Sequence, residues 1–169
     1  MKIQLAVPED VPAIARAQVR SWQAAYENIM PAEHLATLSV DKREALWREL
    51  LARGEPELLV AKDTEYIIGF IAYGRCRDGN AGDRRAEVWA IYVLPSHWSQ
   101  GVGTKLWNQA RKRMRDQDYD SVSAWVLVGN ARAIHFYTHM GFDLDEDSSK
   151  EVVIGGKELS EVRYIARLR

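Results

Sequence analysis

Hydrophobic and polar positions alternate with a two-residue period from Ala86 to Leu94, and a helical period takes over after a proline and two glycines. In the first run Glu87, Trp89, Ile91 and Val93 fall on one face, and Val88, Ala90, Tyr92 and Leu94 on the other. This predicts a strand, stopped by Pro95 because proline cannot donate to a ladder. Beyond Gly101-Val102-Gly103, residues Val102, Leu106, Ala110 and Met114 recur at helical spacing. A strand that feeds a glycine turn at a helix start leaves backbone N–H groups without intrahelical partners, at the positive end of the helix dipole. Glycines let a large anion approach that backbone closely. The pattern predicts a site for a phosphorylated ligand.

The same reading extends to the rest of the chain. Lys2 to Ala6 forms a short strand, and Pro8-Glu9-Asp10 starts a helix on which Val11, Ile14, Gln18, Trp22 and Tyr26 share a face. Pro31 ends it. A second helix begins near Asp41, where Asp41 and Glu44 resemble a capping box, buries Trp47, Leu50 and Leu51, and stops at Gly54. Glu57 to Lys62 and Tyr66 to Arg75 read as a hairpin, and the polar loop Arg77 to Arg85 leads into the strand described first. Ser121 to Val128 is a strand, Ala131 to Met140 a short helix, and two further strands around Phe142 to Ile154 and Val162 to Leu168 meet at Gly155-Gly156. The order β-α-α-β-β-β-α-β-α-β-β predicts an α/β (α+β) protein with a mixed sheet and helices on its faces, a single domain over residues 1–169.

Composition narrows the function classes. A net charge of −1 argues against a nucleic-acid partner, which would call for a basic face. One cysteine, Cys76, excludes an internal disulfide and suits a reducing compartment. The N-terminal stretch MKIQLAVPED lacks a signal-peptide core and no run reaches membrane-spanning length, so the expectation is a cytoplasmic protein without a membrane partner.

The glycine turn fits neither common phosphate motif. A dinucleotide fingerprint needs a third glycine where Leu106 stands, and a P-loop needs lysine before the hydroxyl, whereas Thr104-Lys105 inverts them. A turn pair without a ligand is the simple alternative. The surroundings decide otherwise. Ile91-Tyr92-Val93-Leu94-Pro95, then Gln100-Gly101-Val102-Gly103 and a long helix, followed by Asn130-Ala131-Arg132-Ala133-Ile134-His135-Phe136-Tyr137 and Met140-Gly141-Phe142, resemble the GNAT superfamily of acyl-CoA-dependent N-acetyltransferases. Ser21-Trp22, Tyr26 and Met30-Pro31 look like a bacterial branch of it. One departure is Trp98, which stands where the family usually carries Gln or Arg, and so removes a side-chain contact to the pyrophosphate.

The resemblance implies a mostly antiparallel sheet of six to seven strands flanked by about four helices. It implies acetyl-CoA as acyl donor, its pantetheine paired with the edge of Ile91, Tyr92 and Val93, and its pyrophosphate on the amides of Gln100, Gly101, Val102, Gly103 and Thr104. Asn130 would bond the pantetheine or cap the helix it begins, with Ala133 and Phe136 nearby, and Arg132 reads as an exposed helix arginine. Tyr137 matches the acid that protonates the leaving thiolate, a phenol of pKa about 10 facing a thiol of about 8.5. Glu87 matches a catalytic base, or is a strand glutamate paired with Arg84 or Arg85. Trp22, Tyr26, Trp89 and Trp125 line the acceptor groove or belong to the core, and the acceptor is an amine of a small molecule or peptide. His135 and His139 lack the third ligand that a metal needs, so none is expected, and Cys76 lacks a base that would make it a nucleophile. The assembly stays open, a homodimer included. A non-catalytic acyl-CoA-binding module on the same fold is the rival reading.

Overall fold

Seven strands form one sheet in the order β1-β2-β3-β4-β5-β7-β6, in a computed structural model that describes residues 1–169. The elements in chain order are β1 (Lys2–Leu5), α1 (Val11–Ala25), α2 (Ala32–Ala36), α3 (Val40–Arg53), β2 (Glu57–Asp63), β3 (Tyr66–Arg75), β4 (Arg85–Val93), α4 (Val102–Asp116), β5 (Ser121–Leu127), α5 (Ala131–His139), β6 (Asp143–Ile154) and β7 (Lys157–Arg167). Single 3-10 turns at Pro8–Asp10 and Pro95–His97 lead into α1 and towards α4. Every neighbouring pair of strands is antiparallel except β4 and β5.

Helices cover both faces. On one, Val11, Ile14 and Ala17 of α1 and Trp47 of α3 pack on Phe70 and Ala72 of β3. On the other, the spaced residues of α4 (Val102, Leu106, Ala110 and Met114) are all buried against Ile71, Tyr73 and Val122. Full burial of a side chain such as Leu106 or Met114 contributes about 1.5–3 kcal/mol. Gly54 ends α3 in the left-handed region at φ +76°, as its position predicts. The cap at the other end differs from expectation: Ser39, not Asp41, starts α3 by accepting the Lys42 N–H at 3.2 Å. The five-residue α2 is too short to leave a periodic signature and is an addition to the expected order.

A bulge corrects the predicted faces of β4. Its register against β3 passes from Ala72↔Ala90 to Tyr73↔Val88, so Trp89 is an extra residue and the alternation changes phase there. Ile91 and Val93 therefore face α4 together with Ala86 and Val88. Ala90 and Tyr92 turn to the α1 side, the side of Glu87, whose partners across the sheet are Gly74 and Ser123.

The parallel pair is short. β4 and β5 are joined only from Arg85↔Ser121 to Glu87↔Ser123, and then separate. The sheet thus opens in its middle, between the end of β4 and the end of β5, where α4 and α5 begin.

Candidate active site

A cleft of about 960 Å³ fills that opening, a volume suited to a sizeable organic ligand. Its floor and one end come from β4, α4 and α5. The opposite end lies between α1, with the segment after it, and the β5–β7–β6 face.

At the α4 end the main chain supplies the chemistry. Gly101 is the N-cap, with φ +77° and no side-chain cap, and the first intrahelical bond runs from Lys105 N–H to the Gly101 carbonyl at 3.1 Å. The N–H groups of Val102, Gly103 and Thr104 are left without intrahelical partners at the positive end of α4. Gln100 does not seal them: its side chain turns back to donate to the Ser96 carbonyl at 3.0 Å and stays outside the cleft lining. Val102 is buried and fixes the turn, while Phe136 of α5 packs on Gly103 so closely that a Cβ there would stand 3.1 Å from its ring. Glycine at this position keeps the amides reachable.

The edge of β4 supplies a second set of groups. Leu94 N–H donates to the Ile68 carbonyl of β3 at 2.8 Å, so by the alternation of an antiparallel pair Tyr92 also turns its main chain to β3, and Ile91 and Val93 turn theirs to the cleft. The Val93 carbonyl is already filled by two donors, Ser21 Oγ and Trp98 Nε1, each at 2.8 Å. Trp98 thus replaces a polar loop side chain with a clamp between the loop and the strand end. Its ring also carries the Arg132 guanidinium 3.8 Å from the centroid, bringing a cation of α5 to the mouth of the glycine turn.

Asn130 caps α5, accepting the Ala133 N–H at 3.2 Å, and is buried in the cleft wall with Ala133 and Phe136 close by. Two turns on, Tyr137 is 7% exposed and lines the cleft. Burial pushes its hydroxyl well above the usual phenol range, with Tyr26 and Glu87 adding to the effect, so it stays protonated through the neutral range. Burial likewise raises Tyr26 and Tyr92, which lie with it in the same lining.

Glu87 is 2% exposed, and its carboxylate is committed. It accepts Arg77's backbone N–H at 3.0 Å, Nε at 3.0 Å and Nη2 at 2.8 Å. The partner is neither Arg84 nor Arg85, which the sequence offered, but Arg77, whose guanidinium also lies 4.2 Å over Trp89. Trp125 is covered in a similar way. Its indole N–H donates to Asp78 at 3.1 Å and Lys150 sits 4.0 Å over its ring. All four aromatic candidates line the cleft, and Trp22 and Tyr26 form its apolar end, 5.4 Å apart edge to face and joined by Met30, Leu127 and Ile154. The Trp22 indole N–H is buried without a partner.

Sequence reasoning missed Arg77, Lys150 and Glu161, all of which line the cleft. Each reaches it through strand register or a loop return that no local pattern encodes. His135 and His139 lie with their rings stacked 6.2 Å apart, and no group of three or more His, Cys, Asp or Glu side chains is placed to hold a metal ion. No helix is long and apolar enough to cross a membrane.

Known proteins resemble this chain in sequence and in fold. A family model described as the acetyltransferase (GNAT) family matches residues 17–142. The chain is 28% identical over 165 residues to a Bacillus subtilis protein named as the uncharacterized N-acetyltransferase YuaI, covering 93% of each. It is 26% identical to the L-amino acid N-acyltransferase MnaT of Escherichia coli, over 63% of this chain and 60% of that one. A crystal structure of the PaiA N-acetyltransferase from Thermoplasma acidophilum in complex with coenzyme A superposes with a TM-score of 0.79 at 19% identity, covering 99% of both chains.

Proposed function

The chain belongs to the acetyltransferase (GNAT) family, whose members are acetyl-CoA-dependent acyltransferases, and on that premise we propose that it transfers an acetyl group from acetyl-CoA to the primary amine of a small molecule. One observation carries the reading. The unsealed amides of Val102, Gly103 and Thr104 stand beside a strand edge on which Ile91 and Val93 turn their main chain into the same cleft. A diphosphate fits the first set, and an extended amide-bearing arm fits the second as an added strand.

Acetyl-CoA, when bound, supplies an activated thioester carbonyl. The residues of this chain do the rest. Val102, Gly103 and Thr104 hold the diphosphate through N–H groups. The Ile91 N–H and carbonyl and the Val93 N–H align the arm, since the Val93 carbonyl is already occupied. The Val93 N–H is also placed to polarise the reacting carbonyl. The N–C bond forms as the C–S bond breaks. The acceptor nitrogen loses one proton to water before attack and a second on collapse. Tyr137 gives its proton to the departing sulfur and is restored by the second proton from nitrogen. Glu87 takes no part in this transfer; it anchors Arg77 and the loop after β3. A small acceptor is supported by the apolar end of the cleft at Trp22, Tyr26 and Met30, and by the name of the MnaT relative.

Thiol release from acetyl-CoA across an amine panel, with mass spectrometry of the products, tests the proposal. Amine-dependent release with an N-acetylated product supports it. Tight CoA binding without turnover on any amine supports the non-catalytic module instead.

A further inference from the structure

The carboxylates around the acceptor end are not equivalent. Glu87 is filled by Arg77. Asp78 and Asp145 are both bonded by Arg163, at 3.0 Å and 2.5 Å. Glu161 alone keeps its lone pairs. On β7 it stands opposite Leu127 of β5 and Lys150 of β6, and it lines the cleft. Its ionic partner is Lys150 Nζ at 3.7 Å, beyond hydrogen-bond distance. Lys150 lacks a hydrogen-bonded carboxylate as well: it rests on the Trp125 ring, whereas Arg77 and Arg163 are bonded by carboxylates at 3.0 Å or less.

We infer that Glu161 and Lys150 form a dipolar clamp for a zwitterionic acceptor, a free α-amino acid or close analogue whose ammonium docks on Glu161 and whose carboxylate docks on Lys150. The inference rests on the acetyl-transfer reading and names its substrate class. An acceptor that carries only an ammonium brings it to Glu161 against the like charge of Lys150, a few ångströms away. An acceptor with a carboxylate on the same carbon cancels that repulsion and replaces one long ion pair by two short ones. A peptide N-terminus, with its carboxylate displaced along the chain, does not. Tyr26, Leu127 and Ile154 border the pair, so the rest of the acceptor is apolar.

The experiment compares kcat/KM for thiol release from acetyl-CoA with the apolar L-amino acids and with their amides. Wild-type protein is expected to favour the free acids at least tenfold, Lys150→Met to bring the ratio to about one, and Lys150→Arg to restore it. Glu161→Gln is expected to raise KM for the acids at least tenfold. Calorimetric titration of L-leucine and L-leucinamide into the CoA-saturated protein gives the same comparison without turnover. Equal use of acids and amides by wild type, or an unchanged ratio in Lys150→Met, overturns the clamp while leaving acetyl transfer standing. Absence of thiol release with every amine overturns acetyl transfer, and the clamp with it.

Discussion

Arg77 grips the Glu87 carboxylate with its own backbone N–H at 3.0 Å and with two guanidinium nitrogens at 3.0 and 2.8 Å. The pair ties the loop that follows β3 to the last paired rung of β4, just before the sheet opens. It thereby fixes the point at which β4 and β5 part.

Glu87→Ala removes three hydrogen bonds from Arg77, whose guanidinium is half exposed and can turn to water, so the unfolding free energy is expected to fall by about 1–2 kcal/mol. Turnover measured at a temperature where the variant is folded should fall less than tenfold. Urea denaturation alongside steady-state rates checks this. A loss above a hundredfold at unchanged stability would make Glu87 the proton acceptor after all.

Trp98 holds the Val93 carbonyl at 2.8 Å and supports Arg132 from its ring face. Trp98→Phe keeps the ring and removes the N–H, at a cost of about 1 kcal/mol in stability. CoA affinity should fall severalfold because the strand end loses one of its two fixings. Calorimetry on the variant and on Trp98→Ala, which also loses the Arg132 platform and should bind more weakly still, separates the two contributions.

Gly103→Ala improves helix propensity by about 1 kcal/mol, but its methyl meets the Phe136 ring. The ring must give by a few tenths of an ångström beside the amides, so the melting temperature is expected to change little while CoA affinity drops about tenfold, or 1.4 kcal/mol. Gly101→Ala acts differently. It meets no neighbour within 4 Å but must adopt φ +77°, at about 1–2 kcal/mol of backbone strain. A thermal-shift series with and without CoA distinguishes the two variants.

Local pattern revealed what local forces build. The spacing of Val102, Leu106, Ala110 and Met114 is a property of one helix, and all of them are buried. The two-residue alternation of β4 failed at Trp89 because the bulge is imposed by register with β3, and register is a non-local choice. The glycine turn was legible because its N–H groups belong to consecutive residues. The Arg77–Glu87 and Lys150–Glu161 pairs were not, since a loop return creates the first and the pairing of β6 with β7 the second. Trp89 and Trp125 do line the cleft, but sequence could not display the cations lying over their rings.

Glu57 gives a pH dependence of known sign. Burial works to raise its carboxyl, but hydrogen bonds from Tyr73, Arg113 and Gln117 outweigh it and hold the group below the usual range. A depressed carboxylate contributes stability above its unfolded pKa of about 4.3 and loses it as pH falls through the folded value. Glu57→Gln is therefore expected to cost about 1–3 kcal/mol at neutral pH. The gap to wild type should close below about pH 4. Urea titrations of both proteins across that window check the sign.

The central claim is that the bare amides of Val102, Gly103 and Thr104 and the open edge of β4 together hold coenzyme A. Isothermal titration of coenzyme A into the purified protein tests it most directly. The account predicts one site per chain with a dissociation constant on the order of micromolar, about −8 kcal/mol, weakened at least tenfold in Gly103→Val. No heat with the wild-type protein, or equal affinity in Gly103→Val, would contradict it.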